Sequence, residues 1–331
     1  MTETKPRARL VSTGRFNPER VMTNQEMETL VDTNDEWIRS RTGIRERRIA
    51  DVDTHASTMA AAAGRVALER AGLGAMDVDL ILLSTATPDR LLPSTACDVQ
   101  ALLGARNAGS YDFATACSGF LYGLSMAEAH VTAGQAETVL VLATEKMSAI
   151  VDWTDRTTCV LFGDGAGAAV VQRANGDGSG ILSGYMKSDG TLAELLWRPG
   201  GGSRVPLDAM VLDERSHYVK MAGPEVFKSA VRAMCEAAET ALRRAGVTAE
   251  EIDLLVPHQA NMRIIEATAK YAGIPMDKVF VNVDRYGNMS SASIPVALDE
   301  AVEQGRAGPG SLVLMVAFGA GFTWAANVVR L

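Results

Sequence analysis

Cysteine is scarce in this chain. There are four in 331 residues, Cys97, Cys117, Cys159 and Cys235, widely scattered and with no C-x-x-C pair among them. That excludes a disulfide framework and a zinc site of the usual spacing, so no metal is expected and the thiols are free for chemistry. No run of about 20 apolar residues is available to span a bilayer, and the opening MTETKPRARL lacks the apolar core of a secretory signal. A soluble, cytoplasmic protein is expected. Positive charge is in deficit, with 32 Lys and Arg against 40 Asp and Glu for a net charge of −8. Nothing therefore pulls the whole molecule toward nucleic acid or an anionic membrane, and an acidic partner needs a local basic patch. What is plentiful is hydrophobic content, 47% of the residues. A chain of this length and composition can bury a full core, as one large domain or as two halves.

Two halves are what the pattern predicts. ALERAGLGAMDVDLILL from Ala67 and ALRRAGVTAEEIDLLVP from Ala241 lie 241 − 67 = 174 residues apart. Each reads as the end of an amphipathic helix, a Gly stop (Gly72, Gly246), a short acidic turn and an apolar strand. FGDGAGAAVV from Phe162 echoes FGAGFTWAANVV from Phe318. The helix after Cys117, ending at Gly134, corresponds to a segment from Asn288 to Gly305, at an offset of 171 at both ends. A duplicated α/β unit is expected, with strands and helices alternating in each half. The halves are read as 1–175 and 176–331, joined near the Gly-rich RANGDGSG.

Cys117 sits in DFATACSGFLYG, ahead of Phe120, Leu121, Leu124 and Val131, which share one helical face. A thiol at a helix N-terminus faces free amides and the positive end of the dipole, which favour the thiolate and lower its pKa. A small buried core residue is the alternative. Among the four histidines, His258 alone ends an apolar strand, IDLLVP, and precedes a helix. Ligand chemistry in α/β sheets gathers at such strand ends. DRYGNMSSASIP supplies Asn288 in a turn leading into a helix, and the repeat matches Asn288 to Cys117. Cys, His and Asn leave two reaction classes open. One is a papain-like hydrolase, since 258 − 117 = 141 fits that family's spacing. The other is decarboxylative carbon–carbon bond formation, with a thiolate carrying an acyl group while His and Asn donate to a thioester oxygen. The duplication and the missing C-G-S-C-W signature favour the second.

TACSGF, VPHQAN, YGNMSSAS and AFGAGFTW, together with NDEWIRSRTGIRERRI, DRTTCVLFGDGAG and PGGGSR, resemble β-ketoacyl-ACP synthase III of the thiolase superfamily over essentially the whole chain. The resemblance implies a thiolase-like fold, a five-layered αβαβα sandwich, in a homodimer. It implies condensation of an acyl-CoA primer with malonyl-ACP, with acyl-CoA as a substrate and no cofactor. Cys117 would be the acylated nucleophile, with His258 and Asn288 stabilising the enolate left as CO2 departs. The backbone N–H groups of Cys117 and Ala320 would form the oxyanion hole. Many relatives carry Gly where Ala320 stands, a substitution that strains the backbone if φ is positive. The resemblance further assigns Trp37, Arg41, Arg156 and Asn261 to CoA. Arg263, Lys228 and Lys270 fall to the carrier protein, and Leu92 and Phe162 to the acyl pocket, with Leu92 reaching in from the partner subunit. Pro224 stands where some relatives place a polar contact to the pantetheine arm. GDGAG lacks the lysine of a P-loop and reads as a structural turn between strands. A related acyltransferase or a ketosynthase of a specialised pathway would carry the same motifs.

Overall fold

TVLVLATEK and LVLMVAFG are buried along nearly their whole length, the pattern of strands covered on both faces. In the computed structural model, which describes residues 8–331, they are central strands of two mixed sheets. The first seven residues of the opening stretch read above lie outside that range. In chain order the sheet strands are Ala8–Phe16 (β1), Leu80–Ser84 (β2), Gly109–Phe113 (β3), Thr138–Lys146 (β4), Asp164–Arg173 (β5), Gly180–Ser188 (β6), Leu254–Pro257 (β7), Leu312–Gly319 (β8) and Thr323–Arg330 (β9). One sheet runs β1-β5-β4-β2-β3 and the other β6-β9-β8-β7. In each, two central strands meet antiparallel (β4 with β5, β8 with β9), and a parallel neighbour lies beyond (β2, β7). The position of β3 is taken in the second sheet by a single parallel bridge, Leu255 to Val279.

Helices complete the layers. Ala56–Ala71 (α2) and Thr95–Leu103 (α3) cover the outer face of the first sheet, packing on an alanine-rich stripe. Gly223–Ala245 (α5) and Met262–Ala272 (α6) cover the outer face of the second. Between the sheets lie Gly119–Thr132 (α4) and Ser293–Glu303 (α7). This is the five-layered αβαβα thiolase fold. Asp35–Thr42 (α1) stands outside the layers, against the N-terminus of α6. Close approach dictates several glycines. A Cβ on Gly167 of β5 would lie 2.6 Å from the Pro295 side chain, so α7 rests directly on that strand. Of the GDGAG run, Asp164 onward is already strand, and only Gly163 stands outside it. Within the described residues no helix is long and apolar enough to cross a membrane.

The repeat is visible at residue resolution, with one correction. Ala116 (φ 45°) precedes α4 as Ser290 (φ 48°) precedes α7, an offset of 290 − 116 = 174. Helix α4 has 14 residues and α7 has 11, so the offset falls to 171 only at the glycine stops. The partner of Cys117 under the repeat is therefore Ser291, not Asn288. Asn288 lies three residues upstream, in the turn that leads to α7.

Candidate active site

Cys117 lies in a 3-10 turn, Ala116–Ser118, that runs straight into α4. Neighbouring backbone presses on it: a Cβ on Gly319, at the end of β8, would lie 2.5 Å from the Cys117 nitrogen. Only glycine lets the two backbones meet there. Beyond Gly319, Ala320 does not have a positive φ, so its Cβ carries no backbone strain. The left-handed conformation falls instead on Gly321, at φ 137°.

His258 follows β7 directly, its amide donating to Val316 O at 2.8 Å. Asn288 is fixed from both sides of its backbone: its N–H donates to Leu161 O (2.8 Å) and its carbonyl accepts from Gly163 N (3.0 Å). Its side-chain Oδ1 accepts from Ser290 N at 2.8 Å. With Oδ1 so engaged, the Nδ2 hydrogens are what the side chain has left to offer in the cavity that Asn288 lines. Gly287 makes the bend with φ 65°, and a Cβ there would meet Leu161 O at 2.8 Å.

Cys117, His258 and Asn288 line one cavity of about 220 Å³. It runs from these buried groups past Phe162, Phe318, Met234 and Leu196 to half-buried Trp37 and Asn261 and exposed Thr157. Its walls are largely apolar. Among the described residues neither ring nitrogen of His258 has a hydrogen-bond partner, and burial pushes the imidazole pKa down to about 3. The ring is neutral at ordinary pH, with one N–H donor and one lone pair uncommitted. The thiol differs from the expectation. Burial, with the nearby Glu145 charge adding to it, pushes Cys117 up to about 12, against a hydrogen bond to Ser290 Oγ (3.6 Å) that lowers it. The helix N-terminus does not offset the loss of water, so the free protein holds a thiol rather than a thiolate.

Of the other expected residues, Trp37 and Arg156 meet each other, with the guanidinium 5.1 Å from the indole ring. Arg156 also donates to Asp32 O at 2.6 Å. Arg41 is exposed on the last turn of α1, and its carbonyl accepts from Asn261 Nδ2 at 3.0 Å. Asn261 caps α6, its Oδ1 accepting from Arg263 N at 2.8 Å. Its amide thus has structural work at both ends and retains one N–H and one lone pair. Arg263 lies over the Phe227 ring at 5.6 Å, and Phe227 lines the cavity beside exposed Lys228. Lys270 follows Arg263 by seven residues on the same helical stripe, about 10 Å further out. Phe162 is in the cavity wall. Leu92 is 86% exposed and does not line the cavity of its own chain. Sequence reading missed Glu145 and Ser290, which stand behind Cys117. The signal was present: an acid closing the apolar run VLVLATE, and two serines after GNM.

Comparison with known proteins identifies the family. Two family models match, 3-oxoacyl-[acyl-carrier-protein] synthase III over residues 111–190 and its C-terminal region over residues 242–331. A β-ketoacyl-[acyl-carrier-protein] synthase III of Caldanaerobacter subterraneus subsp. tengcongensis is 50% identical over 323 residues, 98% of this chain and 97% of the relative. The crystal structure of 3-oxoacyl-[acyl-carrier-protein] synthase III from Aquifex aeolicus VF5 superposes with a TM-score of 0.90 at 48% identity, covering 98% of this chain and 100% of that one. The priming β-ketosynthase of the R1128 polyketide pathway gives 0.90 at 37% identity, covering 100% of this chain and 98% of its own. With this fold, and with Cys117, His258 and Asn288 around one cavity, the chain belongs to the β-ketoacyl-[acyl-carrier-protein] synthase III family of condensing acyltransferases.

Proposed function

We propose that the protein starts fatty-acid synthesis by condensing an acyl-CoA primer with malonyl-ACP in two half-reactions through an acyl-Cys117 intermediate, releasing CoA and CO2. The observation that carries this reading is that Cys117, His258 and Asn288 line one largely apolar cavity. In the first half-reaction the Cys117 sulfur attacks the acyl thioester and CoA leaves. The Cys117 and Ala320 amides hold the oxyanion, in backbone that Gly319 brings together. In the second, the malonyl thioester oxygen takes hydrogen bonds from the neutral His258 N–H and from Asn288 Nδ2. Loss of CO2 then leaves an enolate that these donors stabilise, and its carbon attacks the acyl-Cys117 carbonyl. An apolar, water-poor wall strengthens both donors and protects the acyl thioester from hydrolysis. The papain-like reading has no comparable support, since the chain belongs to a condensing family.

CoA enters past Trp37 and Arg156, which must part from one another to take the adenine between them. The carrier protein docks on Arg263 and Lys228, with Lys270 farther along α6. Reversing both Arg263 and Lys228 to Glu is expected to raise KM for malonyl-ACP several-fold and flatten its salt dependence. Acylation by acyl-CoA should change little. An equal fall in both half-reactions would assign the patch to CoA or to the fold.

A homodimer formed along the open edge of β3 completes the site. Leu91 (83% exposed) and Leu92 (86% exposed) lie near that edge with half-exposed Tyr111, an apolar group that a lone protomer leaves in water. In the dimer Leu92 caps the partner's acyl pocket. Leucine is shorter than phenylalanine, so the pocket admits more than an acetyl group. Each buried methylene contributes roughly 0.8 kcal/mol, several-fold in affinity per carbon. Isobutyryl- or butyryl-CoA is expected to match or exceed acetyl-CoA in kcat/KM, and Leu92→Phe to shift the preference back to acetyl. A wild type restricted to acetyl-CoA, with no narrowing in the variant, would remove Leu92 from the pocket.

A further inference from the structure

The fully buried carboxyl of Glu145, one residue before the end of β4, stands behind the nucleophile, and the reaction as described makes no use of it. Its Oε1 accepts from Ser290 Oγ (3.2 Å) and Ser291 Oγ (2.7 Å), and its Oε2 from Thr87 Oγ1 (2.9 Å) and Ala86 N (3.1 Å). Ser290 in turn accepts from the Cys117 thiol at 3.6 Å. A continuous path of hydrogen bonds therefore runs from Cys117 Sγ through Ser290 Oγ to the Glu145 carboxylate. Among the described residues no basic side chain bonds to Glu145. Its neighbour Lys146 is committed to the carbonyls of Asp51, Val52 and Thr54, and Asp164, across the strand pair, to Ser148 and Ala50.

We propose that Glu145, acting through Ser290, accepts the Cys117 proton during acylation, an assignment that rests on the reading of Cys117 as the acylated nucleophile. As the Cys117 S–H bond breaks, the proton passes to Ser290 Oγ, and Ser290 gives its own proton to the Glu145 carboxylate. The sulfur forms its bond to the thioester carbonyl carbon, and the bond from that carbon to the CoA sulfur breaks. CoA leaves as its thiolate and takes a proton from solvent. The proton held on Glu145 returns through Ser290 to the Cys117 thiolate set free when the enolate carbon takes the acyl group, so thiol and carboxylate are both restored at the end of the cycle. Two further features favour the path. The thiol is buried, and Ser290 is its one hydrogen-bond partner among the described residues. Burial also lifts the Glu145 carboxyl above the usual carboxylate range, against the pull of its four donors, which makes it a stronger base. Glu145 touches neither substrate, so it is a positioning and proton-holding residue. Ser290 does double duty: its hydroxyl serves Cys117, whereas its backbone N–H holds Asn288 Oδ1.

That division supplies the test. Ser290→Ala removes the hydroxyl and keeps the backbone bond to Asn288, whereas Glu145→Gln keeps the shape and removes the base. In the full-length protein, each is expected to slow acylation of Cys117 by isobutyryl-CoA about 10²-fold, read by peptide mass. CO2 release from malonyl-ACP, which does not need the thiol proton, should fall far less. The double variant should be no slower than either single one, because one path is cut twice. Glu145→Asp should recover part of the lost rate. Acylation within about threefold of wild type in Ser290→Ala would overturn the relay, as would equal losses in both half-reactions or multiplied losses in the double variant. A wild-type Cys117 that takes no acyl group would overturn the functional reading itself, and the relay with it.

Discussion

Asn288→Ala is expected to cut CO2 release from malonyl-ACP by about 10²–10³-fold while acylation of Cys117 by acyl-CoA stays measurable. The asymmetry follows from geometry. Asn288 lines the cavity and is held through Leu161, Gly163 and Ser290, with its Oδ1 engaged and its Nδ2 without an acceptor among the described residues. In the proposed reaction it serves the oxygen of the malonyl thioester, and the acyl group on Cys117 has a separate pair of backbone donors. Radiolabelled CO2 release and intact protein mass, measured on the same variant, separate the two half-reactions. Unchanged CO2 release would remove Asn288 from the site.

Cys117→Ala is expected to abolish acylation and to lower condensation by at least about 10⁴-fold, the scale of loss when a covalent nucleophile is deleted. Decarboxylation should survive, since His258 and Asn288 remain. The substitution exchanges one small buried side chain for another, so little change in stability should accompany it. Acylation that persisted in Cys117→Ala would pass the nucleophile to another thiol. Cys97 is exposed, but Cys159 is buried in the outer core and lines no part of the cavity.

The layers and the repeat were legible because they follow from periodicity. Strands buried on both faces read as unbroken apolar runs, and helix ends announce themselves through Gly72 and Gly246, both with positive φ. The pairing of Asn288 with Cys117 was misread because the two central helices differ in length by 14 − 11 = 3 residues, and residues spaced from the glycine stops carry that difference to the other end. His258 was found because a strand end is a position that sequence shows. The state of the Cys117 thiol was not legible. A helix N-terminus can be read from spacing, but the loss of water that outweighs it arises from Gly319, Ser290 and the cavity wall, which are distant in sequence. Glu145 was missed for the same reason, since its partners Ser290 and Ser291 lie about 145 residues away. The CoA contacts came from resemblance alone, and the structure gives Asn261 a capping role that the motif VPHQAN does not reveal.

The central claim is that Cys117 carries the acyl group between CoA and the carrier protein, and one measurement tests it most directly. The protein is incubated with a short acyl-CoA, its intact mass and peptide map are recorded, and malonyl-ACP is then added. The expected result is one acyl mass per chain, located on the Cys117 peptide and discharged by malonyl-ACP as CO2 and 3-oxoacyl-ACP appear together. Acyl mass on Cys97, Cys159 or Cys235, or an acyl-Cys117 that malonyl-ACP leaves in place while product forms, would contradict it.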